Sequence, residues 1–279
     1  MQIIRMPLIR GCLVTAIVMA MTLGFPSPLP LLPSAYALTS VTPAAIQVTP
    51  AAIQWTYQAE TGPKHWAELS PDFATCASGK AQSPINLSAS ESADLVDPDF
   101  HYEPAPLNIL NNGHTVQVPY APGSYFTLDG QQYNLLQFHF HSPSEHAVEG
   151  QPLDAELHLV HQSDAGALAV VSVLLQADDT EDRASYSALS ANLPSQAGDK
   201  VRTGERVNAQ DLLPTKTTTY RYSGSLTTPP CSESVTWLVM TEPVTLSTQQ
   251  ISHYQQLLNH NNRPLQLLNN RSVQIDTSP

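Results

Sequence analysis

Runs of alternating and continuous apolar residues mark strands in this chain. Leu168 to Leu175 is an essentially apolar run of the length and composition of a strand buried on both faces. Val235 to Met240 alternates, with Val235, Trp237 and Val239 on one side. Alternation over Leu135–His141 predicts a strand with Leu135, Gln137, His139 and His141 on one face and Leu136, Phe138 and Phe140 on the other. Glu156, His158 and Val160 share a face of a second strand, which an antiparallel pairing would bring beside the first. Two segments, Ser185–Leu193 and Ser247–His260, are predicted as short helices. At 279 residues and 30.3 kDa the chain suffices for one large domain with a substantial core.

The two polar faces carry the candidate chemistry. His139, His141 and His158 offer three imidazoles at a spacing one metal ion can use. A lone His-x-His more often marks two partly solvated strand histidines, but Gln137 and Glu156 each precede a histidine by two residues on the same face. There each can hold an imidazole N–H. Structural zinc sites favour thiolates in closed tetrahedra, whereas neutral imidazoles leave the ion its full charge and a position open for water. The three cysteines lie away from these histidines, so the pattern points to a catalytic zinc site with one ion per chain.

The motifs Gln82-Ser-Pro-Ile-Asn86, Asn111-Asn-Gly-His114, Gln137-Phe-His-Phe-His141, Ser144-Glu-His146, Ala155-Glu-Leu-His-Leu-Val-His161, Ser225-Leu-Thr-Thr-Pro-Pro230 and Asn262-Arg-Pro264 occur in that order. With them the chain from Trp55 to Arg271 resembles the α-class carbonic anhydrases, its bacterial, exported members in particular. The resemblance implies a mainly β, α+β fold: one domain over residues 55–276, a twisted and mostly antiparallel sheet, short peripheral helices, and zinc at the base of a conical cleft. It implies reversible hydration of carbon dioxide to bicarbonate and a proton by zinc hydroxide attack, with weak esterase activity on the side.

Roles follow from the resemblance residue by residue. Thr227 accepts the proton of the nucleophile, and Glu145 orients Thr227. Thr228 contacts bicarbonate, and Val160, Val170, Leu226, Val235 and Trp237 form the apolar wall where carbon dioxide lodges. The carbonyl of Asn261 holds the imidazole of His141. His114 shuttles protons, with a pKa near the unperturbed 6.5, through waters ordered by Tyr57, Asn112 and Gln117; Gln117 is a longer amide than the asparagine often found there. His146 and His161 are expected to be structural. Ser223 and Leu267 stand where family members often have proline. Cys76 and Cys231 correspond to a disulfide pair, and closing a loop of that 155-residue separation is worth about 5 kcal/mol as an upper figure. A non-catalytic carbonic-anhydrase-like binding protein is the alternative, and the intact histidine triad with Glu145 and Thr227 argues against it.

Upstream, Arg5 and Arg10, the apolar stretch Gly11–Phe25 and Ala35-Tyr36-Ala37 read as a signal peptide over residues 1–37, and hence a periplasmic or secreted protein. About 15 apolar residues fall short of the ~20 that span a bilayer, so no stable membrane anchor is expected. Val41-Thr-Pro-Ala-Ala-Ile-Gln47 is repeated identically as residues 48–54, and residues 38–54 read as a linker. Loss of the leader takes the formal charge from −12 to −14, which excludes nucleic acid as a partner. The expected partners are carbon dioxide and bicarbonate; a homodimer is compatible with the sequence, which points to no interface.

Overall fold

The computed structural model describes residues 54–277 except 89, 180 and 181. The leader and all of the linker but Gln54 therefore lie outside the described residues. Fifteen strands are present among the described residues: β1 (Glu91–Ala93), β2 (Asp99–His101), β3 (Ala105–Asn111), β4 (Val116–Pro119), β5 (Tyr125–Leu128), β6 (Gln131–His141), β7 (Ala147–Val148), β8 (Gln151–Pro152), β9 (Ala155–Gln162), β10 (Leu168–Asp178), β11 (Lys200–Val207), β12 (Thr219–Ser225), β13 (Glu233–Met240), β14 (Val244–Ser247) and β15 (Gln274–Asp276). Helices α1 (Trp66–Leu69), α2 (Thr75–Ser78), α3 (Ala184–Ala191) and α4 (Thr248–Leu258) are short.

Thirteen strands form one sheet, in the order β1, β15, β12, β13, β10, β9, β6, β4, β3, β11, with β14 beside β10, and β2 reaching β6 through β5. Most pairings are antiparallel; β1 with β15, and β10 with both β13 and β14, are parallel. The expected mainly β domain is thus found. Its central strand, β10, is flanked on both sides, and its apolar run packs two ways: Ala169, Val171, Val173 and Leu175 into one cluster, Val170 and Leu174 into another. Ser172 interrupts the second face.

The back of the sheet carries the larger core, where Phe138, Phe140, Leu157, Leu159, Leu238 and Met240 meet Ile251 and Tyr254 of α4. Tyr254 stacks on Phe140 with ring centroids 4.6 Å apart. Helix α4 is bounded by side-chain chemistry. Ser247 and Gln250 close a reciprocal capping box at its start, and Asn259 adopts the left-handed conformation at its end. These caps make the helix shorter than the Ser247–His260 expected from sequence. Cys76 and Cys231 are joined by a disulfide.

One expectation about β6 is corrected. Leu135 belongs to the back core, 3% exposed, while Leu136 is 44% exposed, the reverse of simple alternation. The reason is a bulge: against β9, Leu135 pairs with His161 and the next pair is Gln137 with Val160, so Leu136 is an extra residue. A bulge of one residue inverts every side chain on one side of it relative to strict alternation. Beyond it, Gln137, His139 and His141 face the front as expected.

Candidate metal centre

The front of the sheet brings the three histidines together by register. His139 of β6 lies directly opposite His158 of β9, and Gln117 and Ser172 continue the same row on β4 and β10. His141, two residues along, completes the group. The three imidazoles present nitrogen atoms within 4.8 Å of one another, the spacing of ligands around one ion.

Hydrogen bonds decide which nitrogen each ring turns toward that point. Nδ1 of His139 donates to Gln137 Oε1 (2.9 Å), Nδ1 of His141 to the carbonyl of Asn261 (2.7 Å), and Nε2 of His158 to Glu156 Oε1 (2.7 Å). Each acceptor is a carbonyl or carboxylate oxygen, so the opposite nitrogens keep their lone pairs: Nε2 of His139 and His141, and Nδ1 of His158. Nε2 of His141 is buried and has no partner. Burial lowers the pKa of all three; His139 is pushed well below its ordinary value, with repulsion from His141 and His158 adding to burial, and His141 falls to about 4. Neutral imidazoles with converging lone pairs and an orphaned buried nitrogen fit a zinc ion.

Glu156 is the hub behind the three histidines. It accepts from His158, from His146 Nδ1 (2.7 Å), from the backbone N–H of Glu145 and His146 (2.8 Å each) and from the Ser172 hydroxyl. Burial alone would raise its pKa; His146 and His158 instead hold it well below the carboxylate range. His146 also bonds the Tyr222 hydroxyl through Nε2 (2.6 Å), so both of its nitrogens are engaged and it offers no second metal site. Glu145 is likewise buried, with Oε1 accepting the Arg263 N–H (2.8 Å). Its Oε2 lies 3.6 Å from His141 Nε2. Burial raises the Glu145 pKa to about 7, against the pull of His158, the Arg263 N–H and the Thr227 hydroxyl. Thr227 therefore lies close enough to be felt by the carboxylate, although Oε2 has no partner of ordinary hydrogen-bond geometry.

The family model for eukaryotic-type carbonic anhydrases matches residues 61–277. The chain belongs to the α carbonic anhydrase family. It is 44% identical over 224 residues to a carbonic anhydrase of Nostoc sp., covering 78% of this chain and 84% of the relative. Among solved structures, a hyperthermostable carbonic anhydrase from an active hydrothermal vent chimney matches at 43% identity and TM-score 0.76, over 80% of this chain and all of that one. The α-carbonic anhydrase of Thermovibrio ammonificans, solved with sulfanilamide, matches at 38% identity and TM-score 0.77 with the same coverage.

As a carbonic anhydrase the chain is an enzyme of carbon dioxide hydration, and its remaining expected residues fall around the histidines. Val160, Val170, Leu226, Val235 and Trp237 lie in or against one apolar cluster on the front face, and Trp237 packs 5.0 Å from His158 between ring centroids. Thr227 is 5% exposed, and Thr228 beside it is half-buried. Asn112 is tied into its own turn: Oδ1 accepts the N–H groups of His114 and Thr115, and Nδ2 donates to Gln117 (3.3 Å). Tyr57 is half-buried beside Trp55 and Trp66. His146 and His161 are buried; His161 bonds the Tyr102 hydroxyl (2.8 Å).

Three features go beyond the sequence reading. His114 stacks on Trp55, with ring centroids 3.7 Å apart and planes 4° from parallel, and burial lowers its pKa, so the unperturbed value expected for it does not hold. Trp55 was visible only as the start of the matching region. Ser172, the one polar residue in the apolar run Leu168–Leu175, is engaged by Glu156; that exception was the available signal. Arg263, quoted within a motif, proves to be only 2% exposed.

Proposed function

We propose that His139, His141 and His158 hold one zinc ion and that the chain hydrates carbon dioxide reversibly to bicarbonate and a proton at that point. The observation that carries this is the convergence of three lone pairs, each fixed by a hydrogen bond from the far side of its ring. Bound zinc supplies Lewis acidity that lowers the pKa of water from 15.7 to about 7, a value known for carbonic anhydrases themselves and not obtained from this chain.

The chain's own residues do the rest. When the Thr227 hydroxyl donates to an ionised Glu145, it can only accept from the nucleophilic oxygen, which turns an oxygen lone pair toward the carbon of the substrate. A dication on the histidines favours that ionised form of Glu145 by lowering its pKa. The wall of Val160, Val170, Leu226, Val235 and Trp237 receives an apolar gas molecule, and Thr228 offers a hydroxyl to the anionic product. His114, half-buried against Trp55, accepts the proton released in each turnover and passes it to buffer, over water ordered by Tyr57, Asn112 and Gln117. The same nucleophile and apolar wall would attack activated esters weakly.

The catalytic unit in this reading spans residues 55–276, preceded by a removable leader over residues 1–37 that exports the protein to a periplasmic or extracellular compartment. No helix among the described residues is long and apolar enough to cross a membrane. Stopped-flow hydration of carbon dioxide on the purified protein, after metal removal by a chelator and after zinc return, tests the function. Activity should vanish and then recover; a zinc-replete protein without hydration activity would leave the non-catalytic binding reading in its place.

A further inference from the structure

Two residues of one short segment, Asn261 and Arg263, touch three residues of the site, His141, His114 and Glu145. The carbonyl of Asn261 accepts from His141 Nδ1, and its side-chain Nδ2 donates to the carbonyls of His114 (3.1 Å) and Phe140 (3.0 Å). Its Oδ1 accepts the N–H of Ser142 (2.9 Å), and the N–H of Arg263 holds Glu145 Oε1 (2.8 Å). Yet this segment belongs to no helix or strand. It leaves α4 through two left-handed residues, Asn259 (φ 44°) and His260 (φ 61°), so the helix does not continue into it.

What fixes it is the Arg263 side chain. Nη1 donates to the carbonyl of Ser83 (2.8 Å) and Nη2 to the carbonyl of Cys76 (2.9 Å), while the guanidinium lies 5.6 Å from the centroid of the buried Trp66 ring. The two carbonyls lie on different segments, Cys76 in α2 at the disulfide and Ser83 in the irregular stretch that follows, and a planar fork spans both. No carboxylate among the described residues lies within ion-pair distance of the guanidinium. A cation buried without such a partner is expensive, and apolar packing would stabilise the fold more cheaply.

We infer that Arg263 is a positioning residue for the active site: it clamps segment 261–263 to α2 at Cys76 and to the stretch at Ser83, and so aims His141 at the metal and holds Glu145 beside Thr227. Neither effect requires its side chain to touch substrate or metal. The catalytic part of this inference rests on the function proposed above; the aiming of His141 does not.

The test uses Arg263→Met and Arg263→Lys in the full chain, each measured well below its own Tm. The first readout is exchange of the His141 Nδ1 proton by NMR in metal-free protein, which needs neither zinc nor activity. In Arg263→Met this proton should exchange roughly 10-fold faster or more, zinc should pass to a chelator roughly 10-fold faster, and kcat/KM for carbon dioxide should fall by a similar factor. Arg263→Lys, which keeps the charge but reaches one carbonyl, should fall between Met and the native chain in all three. If Arg263→Met does not fold, the lysine variant carries the test. Native-like proton exchange and zinc dissociation in a folded variant would overturn the inference, whatever the activity. Faster exchange in a chain whose native form hydrates no carbon dioxide would leave the positioning role standing and sink the proposed function.

Discussion

The two faces of β6, β9 and β10 share one backbone and follow opposite rules. Behind the sheet, Phe138, Phe140, Leu157, Leu159, Val171 and Val173 are buried against apolar neighbours, where stability depends on volume and is non-directional. In front, His139, Glu156, His158 and Ser172 are held by hydrogen bonds aimed at single atoms. A change behind should cost stability and spare chemistry. A change in front leaves a buried group without its partner and should cost function first.

The strongest break of that contrast comes from a ligand. His158→Ala should empty the site of zinc by metal analysis and lower carbon dioxide hydration by more than about 100-fold, since losing a mere partner of a ligand already costs 10–100-fold. Retained zinc and activity would mean the ligands are misassigned. The matching change behind the sheet is Leu159→Ala, one residue away and 0% exposed. It should lower the unfolding free energy by about 2–5 kcal/mol in denaturant titration while kcat/KM stays within a factor of about two. Glu156→Gln comes next in size, with zinc retention in a chelator assay weakened roughly 10 to 100-fold because His158 loses a charged acceptor.

His161 offers a case in which a polar group sits on the apolar side. Burial pushes its pKa down to about 3, below the ~6.5 of an unfolded histidine, so the unfolded chain takes up the proton first. Its contribution to stability is therefore complete above pH 6.5 and is lost progressively as the pH falls toward 3, by at most about 1.4 kcal/mol per pH unit. Urea midpoints across that window should fall less steeply in His161→Gln than in the native chain; parallel curves would show that this ring does not titrate on unfolding. The smallest effect belongs to the exposed edge of the site. His114→Ala should lower kcat in dilute buffer by roughly 10-fold, recover with added imidazole and spare kcat/KM, because water and buffer also carry protons. NMR titration of His114 in the native chain should give a pKa below 6.5, in keeping with its half-buried stack on Trp55.

The front face was legible because strict alternation puts His139 and His141 on one side and each is preceded by its hydrogen-bonding partner. Leu135 and Leu136 were not, since a bulge exchanges two leucines of identical composition and leaves no trace in the pattern. The Trp55–His114 stack joins residues 59 positions apart in segments without regular alternation, so no periodicity points to it. Ser172 and Arg263 were visible as letters, a hydroxyl in an apolar strand and an arginine in a motif. Their partners are set only when the third dimension is known.

The parallel pairing of β1 with β15 bears on how the molecule comes into being. It joins residues 91–93 to residues 274–276, and β12 takes its outer neighbour from the same final strand. Asn261 and Arg263, which brace the site, also belong to the last portion of the chain. During synthesis, then, most of the sheet emerges before its closing strand and before the supports of the histidines exist. Such long-range closure makes for slow folding, and the first three quarters of the polypeptide cannot set its active site unaided. A nascent chain would thus lack both the partner of β1 and the braces on His141 and Glu145 until residues 261–276 have emerged.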